Sequence, residues 1–131
     1  MELLSEITPE EASWRPAKGR NTIYEILRHS NFWKKAVICQ LRKKPMSKEE
    51  RRKGNWTRMK KQVTEKQLAE CIEETIRVHE ELKHEIRKLG KQLHNVSSRV
   101  SNYTREIINH ESYHAGQIGI IRAMLGKKAI I

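Results

Sequence analysis

The pentapeptide HESYH, residues 110–114, carries the most chemically suggestive spacing in the chain. It spells H-E-x-x-H, the helical zinc signature of metallopeptidases. Residues four apart on a helix project from one face with β-carbons roughly 6 Å apart. Two imidazoles placed this way can converge on one ion at metal–nitrogen distances of about 2.1 Å. Both positions fall on an apolar stripe, where neighbouring histidines are costly unless something offsets their desolvation. A shared metal does so; the plainer alternative is a pair of hydrogen-bonded core histidines. The peptidase reading requires a further Glu, Asp or His downstream. The chain after His114 reads AGQIGIIRAMLGKKAII and contains none of the three. Glu111 is also rotated off the inward seam, and no upstream strand is available to hold a peptide. An HExxH metallopeptidase is therefore disfavoured.

A third ligand has to come from upstream, where the candidates are His29, His79, His84 and His94. His94 follows Gly90 in a connection. His84 stands between Lys83 and Glu85 on a charged face, and His79 sits on a core seam. His29 is the best placed, one turn from Trp33. The two cysteines, Cys39 and Cys71, form no C-x-x-C pair and read as small apolar residues in a reducing compartment.

Three helices must position these residues. Thr22-x-x-Glu25 is a capping box, in which hydroxyl and carboxylate satisfy each other's orphan amides. It opens a helix expected to run to about Lys43, before Pro45, with Ile23, Ile26, Leu27, Ser30, Trp33, Val37 and Leu41 inward. Thr64-x-x-Gln67 opens the next, which ends at Gly90 and buries a seam of Leu68, Ile72, Thr75, His79, Leu82, Ile86 and Leu89. The last starts between Asn95 and Ser98 and ends at Gly126. Its stripe is Val100, Tyr103, Ile107, His110, His114, Ile118, Ile121 and Leu125. The opening ITPEEASWRPAKGR, with an X-Pro break and Gly19, reads as turns. No strand-like alternation or internal repeat is present. The expectation is all-α: one domain over residues 1–131, an antiparallel helical bundle with a long connection at 42–63.

Composition agrees: at 131 residues the chain suits one modest core, and it is poor in Gly, Pro and aromatics but rich in helix formers. No apolar run approaches the roughly 20 residues needed to cross a bilayer. The acidic start, MELLSEITPEE, lacks the features of a signal peptide, so a cytoplasmic protein without a membrane anchor is expected. The net charge is +11, and Arg42–Lys61 holds ten Lys or Arg against two acids, a net +8. Such a segment is either a solvated linker or an electrostatic footprint for nucleic acid, and its Gly- and Pro-marked setting favours the linker.

The segments TIYEILRHSNFW and INHESYHAGQIGIIRAMLG, together with W-R-P-A-K-G and G-N-W, resemble the DinB-like superfamily of metal-binding four-helix bundles. The most specific element is H-x-x-Y-H-x-G-Q, and the resemblance covers roughly residues 8 to 126. It implies a three-histidine site at His29, His110 and His114 for a divalent metal (Zn, Ni, Fe or Mn). It also implies a thiol-dependent transferase or isomerase, in which a low-molecular-weight thiol such as bacillithiol, mycothiol or glutathione attacks an electrophilic small molecule. Glu25 and Glu106, each four before a histidine, are candidates to accept a ligand's other N–H. The plainer alternative for both is a first-turn acid or surface ion pair. Gln117 is expected to reach the site, Tyr113 to pack sideways, and Trp56 either to lid the pocket or to join a satellite core. Family members carry a full helix before the segment aligned with ITPEEASWRP, whereas only MELLSEI precedes it here. The expected fold is thus three long helices with a truncated N-terminal one, the gap left as a groove or filled by a homodimer partner. Two other functional readings stand beside the transferase: a catalytically silent metal-binding bundle, and a basic helical protein that binds nucleic acid.

Overall fold

A computed structural model describes residues 4, 6–90 and 98–127, with the side chains of 90 and 98–104 left aside. Five helices are described: α1 (Pro9–Ser13), α2 (Ile23–Leu41), α3 (Lys48–Gly54), α4 (Glu65–Gly90) and α5 (Ser98–Met124). No strand occurs among the described residues. The chain is an all-α bundle built on three long helices.

Each long helix is punctuated by local chemistry. At the start of α2, Glu25 N–H donates to Thr22 Oγ1 (3.2 Å) while Thr22 N–H donates to Glu25 Oε1 (2.9 Å). The same reciprocal box joins Thr64 and Gln67 ahead of α4, at 3.0 and 3.1 Å. α5 closes on Gly126 with φ +75°, its N–H reaching Ala123 O and that of Lys127 reaching Arg122 O. This is a left-handed C-terminal cap that glycine adopts without strain. Two short helices were not anticipated. α1 occupies the stretch expected to be turns, capped by Thr8 with Pro9 in its first turn. α3 lies inside the basic connection, with a Ser47–Glu50 capping box of its own. Gly90, expected as the cap of α4, is its last helical residue, and residues 91–97 lie outside the described ones.

α2 is the central helix. Asn31 donates to Thr75 Oγ1 (2.9 Å), and Arg42 pairs with Glu85 (3.1 Å) further along both helices. α2 and α4 therefore run parallel, which is why a long crossing connection joins them. α5 runs antiparallel to α2: Ile118 and Ile121 pack near Ile23 and Leu27, and Ile107 packs near Val37. Within the helical bundle α5 is antiparallel to α2, and the long crossing connection expected between the first two long helices makes α2 and α4 the parallel pair. The α4 seam is also turned by about one residue: Leu68, Cys71, Thr75, Val78 and Leu82 are buried, while Ile72, His79 and Ile86 are half-buried. On α2, Tyr24, Asn31, Lys34 and Ile38 join the expected inward residues, and Trp33 and Leu41 are half-buried. Of the α5 stripe, Val100 and Tyr103 lie outside the described side chains; Ile107, His114, Ile118 and Ile121 are buried.

The apolar core is divided. One cluster gathers Ile23, Ile26, Leu27, Leu68 and Ile118 with the N-terminal Leu4, Ile7 and Ala12. The other gathers Val37, Ile38, Val78, Leu82 and Ile107. Between them, α2 contributes His29, Ser30, Asn31 and Lys34, all buried, and faces Thr75 on α4 and His114 on α5, which are buried too. A polar belt across the middle of a small bundle forgoes apolar burial worth roughly 1.5–3 kcal/mol per large side chain. The belt is where function is to be sought.

Candidate metal centre

The helical repeat puts His110 and His114 on the same face of α5, and α2 brings His29 across to meet them. Nε2 of His29 lies 3.1 Å from Nε2 of His110, which in turn lies 3.0 Å from Nε2 of His114. The three ligand atoms all fall within 4.8 Å of one another. His29 and His114 are buried and His110 is half-buried.

The outer ring nitrogens decide what the inner ones can be. His29 Nδ1 is 2.9 Å from the main-chain O of Asn55. A carbonyl only accepts, so this nitrogen carries the proton and Nε2 is left with its lone pair. His114 Nδ1 is 2.6 Å from Gln117 Oε1, which fixes the same tautomer there. Two lone pairs thus point at His110 Nε2, which can hold one proton at most. A cation satisfies all three nitrogens at once. Nitrogens bound to a common ion at about 2.1 Å stand roughly 3.0–3.4 Å apart, and two of the three separations already match. His110 Nδ1 is buried without a hydrogen-bond partner among the described residues.

The surroundings favour the neutral form of His29 and His110, as metal ligation requires. Burial is the main cause of a lowered pKa at His29, with the His114 ring adding to it and the Asn55 carbonyl opposing it. At His110, burial and then the neighbouring His114 and His29 push the pKa down to about 4.

The connection after α3 clamps the site. The Trp56 ring stacks on His29 with centroids 3.7 Å apart and planes 9° from parallel. Asn55 Oδ1 accepts from Trp33 Nε1 at 3.1 Å, and the Trp33 ring lies 5.5 Å from that of His110. Gly54 permits this approach, since a Cβ there would collide with the Phe32 ring on α2. Trp56, weighed as a lid or as part of a satellite core, stacks on His29 and keeps 41 % of its surface exposed. Asn55 was missed, although it is the middle residue of the G-N-W motif: a contact made by a main-chain oxygen leaves no trace in residue type.

Of the candidate partners for the other N–H groups, Gln117 touches a histidine and the two glutamates do not. Glu25 is spent elsewhere, in ion pairing with Arg15 (2.7 Å), in the capping box and in accepting from Met59 N–H (2.7 Å). The place assigned to it beside His29 belongs to the Asn55 carbonyl. Glu106 is exposed and leaves His110 Nδ1 unpartnered. Glu25 is thus the first-turn, ion-paired acid of the plainer reading, while Glu106 is an exposed side chain well inside α5.

Glu111 turns away from the three rings to Ser30 and Lys34. His79 is half-buried on α4 and does not join the cluster, His84 is exposed, and His94 lies outside the described residues. Tyr113 is exposed, its ring 5.4 Å from that of His114. Burial pushes the Cys71 thiol up to about 11, which removes it as a nucleophile at neutral pH.

An all-α bundle whose central polar belt gathers three imidazoles defines a class: a helical protein with a histidine cluster fit to bind a metal. The chain belongs to the DinB superfamily, whose family model matches residues 1–118. No curated protein and no solved structure matches it.

Proposed function

We propose that His29, His110 and His114 hold a divalent metal ion through their Nε2 atoms, and that the protein is a metal-dependent enzyme of the thiol-transferase kind. The observation that carries this reading is the convergence of three Nε2 atoms while two of the Nδ1 atoms are engaged by acceptors. Three neutral imidazoles leave an ion with open positions, the arrangement of a catalytic rather than a closed structural site. When bound, such an ion lowers the pKa of a coordinated water or thiol toward neutrality and so supplies a nucleophile for an electrophilic small molecule. The protein's own part is to hold the ligands and limit solvent. Asn55 and Gln117 fix two tautomers, and Trp56 covers His29 from the connection side. Zn, Ni, Fe and Mn all suit an imidazole set, and the thiol is a low-molecular-weight one of the bacillithiol type.

The setting we infer is the cytoplasm. Both described cysteines are free, and none of the described helices is long and apolar enough to cross a membrane. We also infer a homodimer, supported by the exposed apolar side chains Tyr113, Ile120 and Met124 along one strip of α5. The basic connection supports nucleic-acid binding less well. Its Lys53 pairs with Glu49, Arg58 donates to main-chain oxygens of Gly19 and Arg20, and the segment's Asn55 and Trp56 serve the histidine cluster.

Elemental analysis of tag-free protein tests the reading. About one equivalent of a divalent metal is expected in the wild type and little in His29→Ala or His110→Ala, with helicity retained in each. Less than about a tenth of an equivalent in the wild type after supplementation would dispose of the site. The loaded protein should then accelerate displacement of bromide from a generic electrophile such as monobromobimane by the thiolate of bacillithiol or glutathione, giving the thioether and bromide, and His29→Ala should not. A metal-loaded but inert protein would favour the silent-bundle reading.

A further inference from the structure

Behind the histidine cluster, a half-open cleft of about 310 Å³ lies between α4 and α5 with α2 as its floor. That volume is at the small end of ligand sites, which run from roughly 300 to 1,000 Å³. One wall is apolar, formed by Leu27, Ile118 and the bare backbone of Gly119. The other carries Ser30, Lys34, His79 and Glu111, and His114 closes one end.

The polar wall is asymmetric in what it leaves free. Both Glu111 oxygens are engaged: Oε1 accepts from Ser30 Oγ at 2.6 Å, and Oε2 pairs with Lys34 Nζ at 2.9 Å. Lys34, only 2 % exposed, has three N–H donors, and Glu111 is their one acceptor among the described residues. A buried ammonium with unfilled donors calls for a further acceptor, since an ion pair alone rarely repays its desolvation. His79 lies close enough to feel both Lys34 and Glu111. Burial, with Lys34 and Lys83 adding to it, lowers its pKa, so it is a neutral ring with one N–H to offer. The wall therefore offers two open ammonium N–H groups on Lys34, beside a carboxylate already engaged at both oxygens. An anion is drawn to those open donors, and the net charge of +11 favours the same sign.

We propose that this cleft binds a small organic carboxylate, its anionic end against Lys34 and His79, its apolar body along Leu27, Ile118 and Gly119, and its far end at His114. The proposal deepens the metal-centre reading by naming the substrate class. It rests on that reading only for what happens at the His114 end. The carboxylate-binding half belongs to Lys34, a positioning residue more than one helical turn from His29 and separate from the three ligands.

The full chain, metal-free and zinc-loaded, is titrated calorimetrically with hydrocinnamate and with its neutral counterpart hydrocinnamamide. The metal-free protein should bind the carboxylate at least about tenfold more tightly than the amide, the margin expected of a hydrogen bond to a buried charge. Lys34→Met should abolish that preference. Gly119→Leu should abolish binding of both compounds while leaving zinc uptake and helicity unchanged. The position is helical, and a Cβ there meets nothing within 4 Å, so the larger side chain enters the cleft without displacing the backbone.

Equal binding of the two compounds by the wild type would overturn the proposal, as would full binding by Gly119→Leu. Binding that needs zinc and ignores Lys34→Met would place the carboxylate on the metal and overturn it equally. Failure of the wild type to take up zinc would sink the metal-centre reading while leaving carboxylate binding by the metal-free chain to stand or fall by itself.

Discussion

Two of the three imidazoles have their outer nitrogen held from outside, and the third does not. Asn55 holds His29 with a main-chain oxygen, which no substitution at that position removes, whereas Gln117 holds His114 with a side chain. Gln117 is therefore the residue at which outer support can be tested. Loss of such a partner typically weakens metal affinity by about 10–100-fold, because the ring is freed to rotate and to take the wrong tautomer. Gln117→Ala should show a loss of that size in competition against a chelator, with the circular dichroism spectrum unchanged. Gln117→Glu, which keeps an acceptor beside Nδ1, should recover most of it. Unaltered affinity in the alanine variant would mean that packing alone orients His114. The shared face of His110 and His114 was legible in the sequence, since i,i+4 spacing follows from the helical repeat, whereas His29 entered as the best placed of four upstream histidines and through the family resemblance. The partners were not legible. Spacing also put Glu25 and Glu106 one turn before a histidine, but spacing says nothing about which way a carboxylate is drawn.

At the level of the helix, Glu25 shows what drew it. As the third residue of α2 it lies over the orphan amides of the first turn, and with its side chain 1 % exposed it also meets Arg15 and Met59 N–H. Burial alone would raise its pKa, but the Arg15 guanidinium and the amides of Thr22 and Met59 more than offset this, leaving it below the ordinary value of 4.5. A carboxyl whose folded pKa lies below its unfolded one stabilises the fold fully above the unfolded value. That contribution is lost as pH falls through the folded value. Glu25→Gln should cost about 2–3 kcal/mol near neutral pH, as expected for one partner removed from a buried charged network. It should also flatten the fall in stability between pH 4.5 and the acid limit, measured by urea denaturation across that range. A variant as acid-sensitive as the wild type would assign the acid transition to other carboxylates. The opening caps of α2 and α4 and the order of the long helices were readable because each depends on residues a few positions apart. The one-residue turn of the α4 seam was not. Its inward face is set by a parallel contact with α2 in which Asn31, a polar residue, reaches Thr75, and a search for apolar periodicity passes over it. α1 and α3 escaped for a related reason: each is a single capped turn or two, too short for a period to show.

Taken whole, the molecule keeps its polar belt inside and leaves apolar surface outside. Tyr113, Ile120 and Met124 are 65 %, 64 % and 57 % exposed, and the helical repeat puts them within one narrow strip of α5, beside the inward face of Ile107, Ile118 and Ile121. Apolar side chains scattered singly need no partner, but a strip along one helix is the usual form of a contact surface. A second copy is the natural occupant, since a two-fold axis across the strip makes it complementary to itself. A dimer formed there leaves the cleft open, because Gly119 and Glu111 lie on other faces of α5. The charge of +11 on each chain opposes association, so salt should strengthen the dimer instead of weakening it. Light scattering at micromolar concentration should give twice the 15.5 kDa chain mass, more completely at high salt. Ile120→Lys combined with Met124→Lys should give a monomer that still takes up its metal, because neither residue touches the histidines. A wild-type chain that stays a monodisperse monomer at every salt concentration would leave the strip without a partner of its own kind.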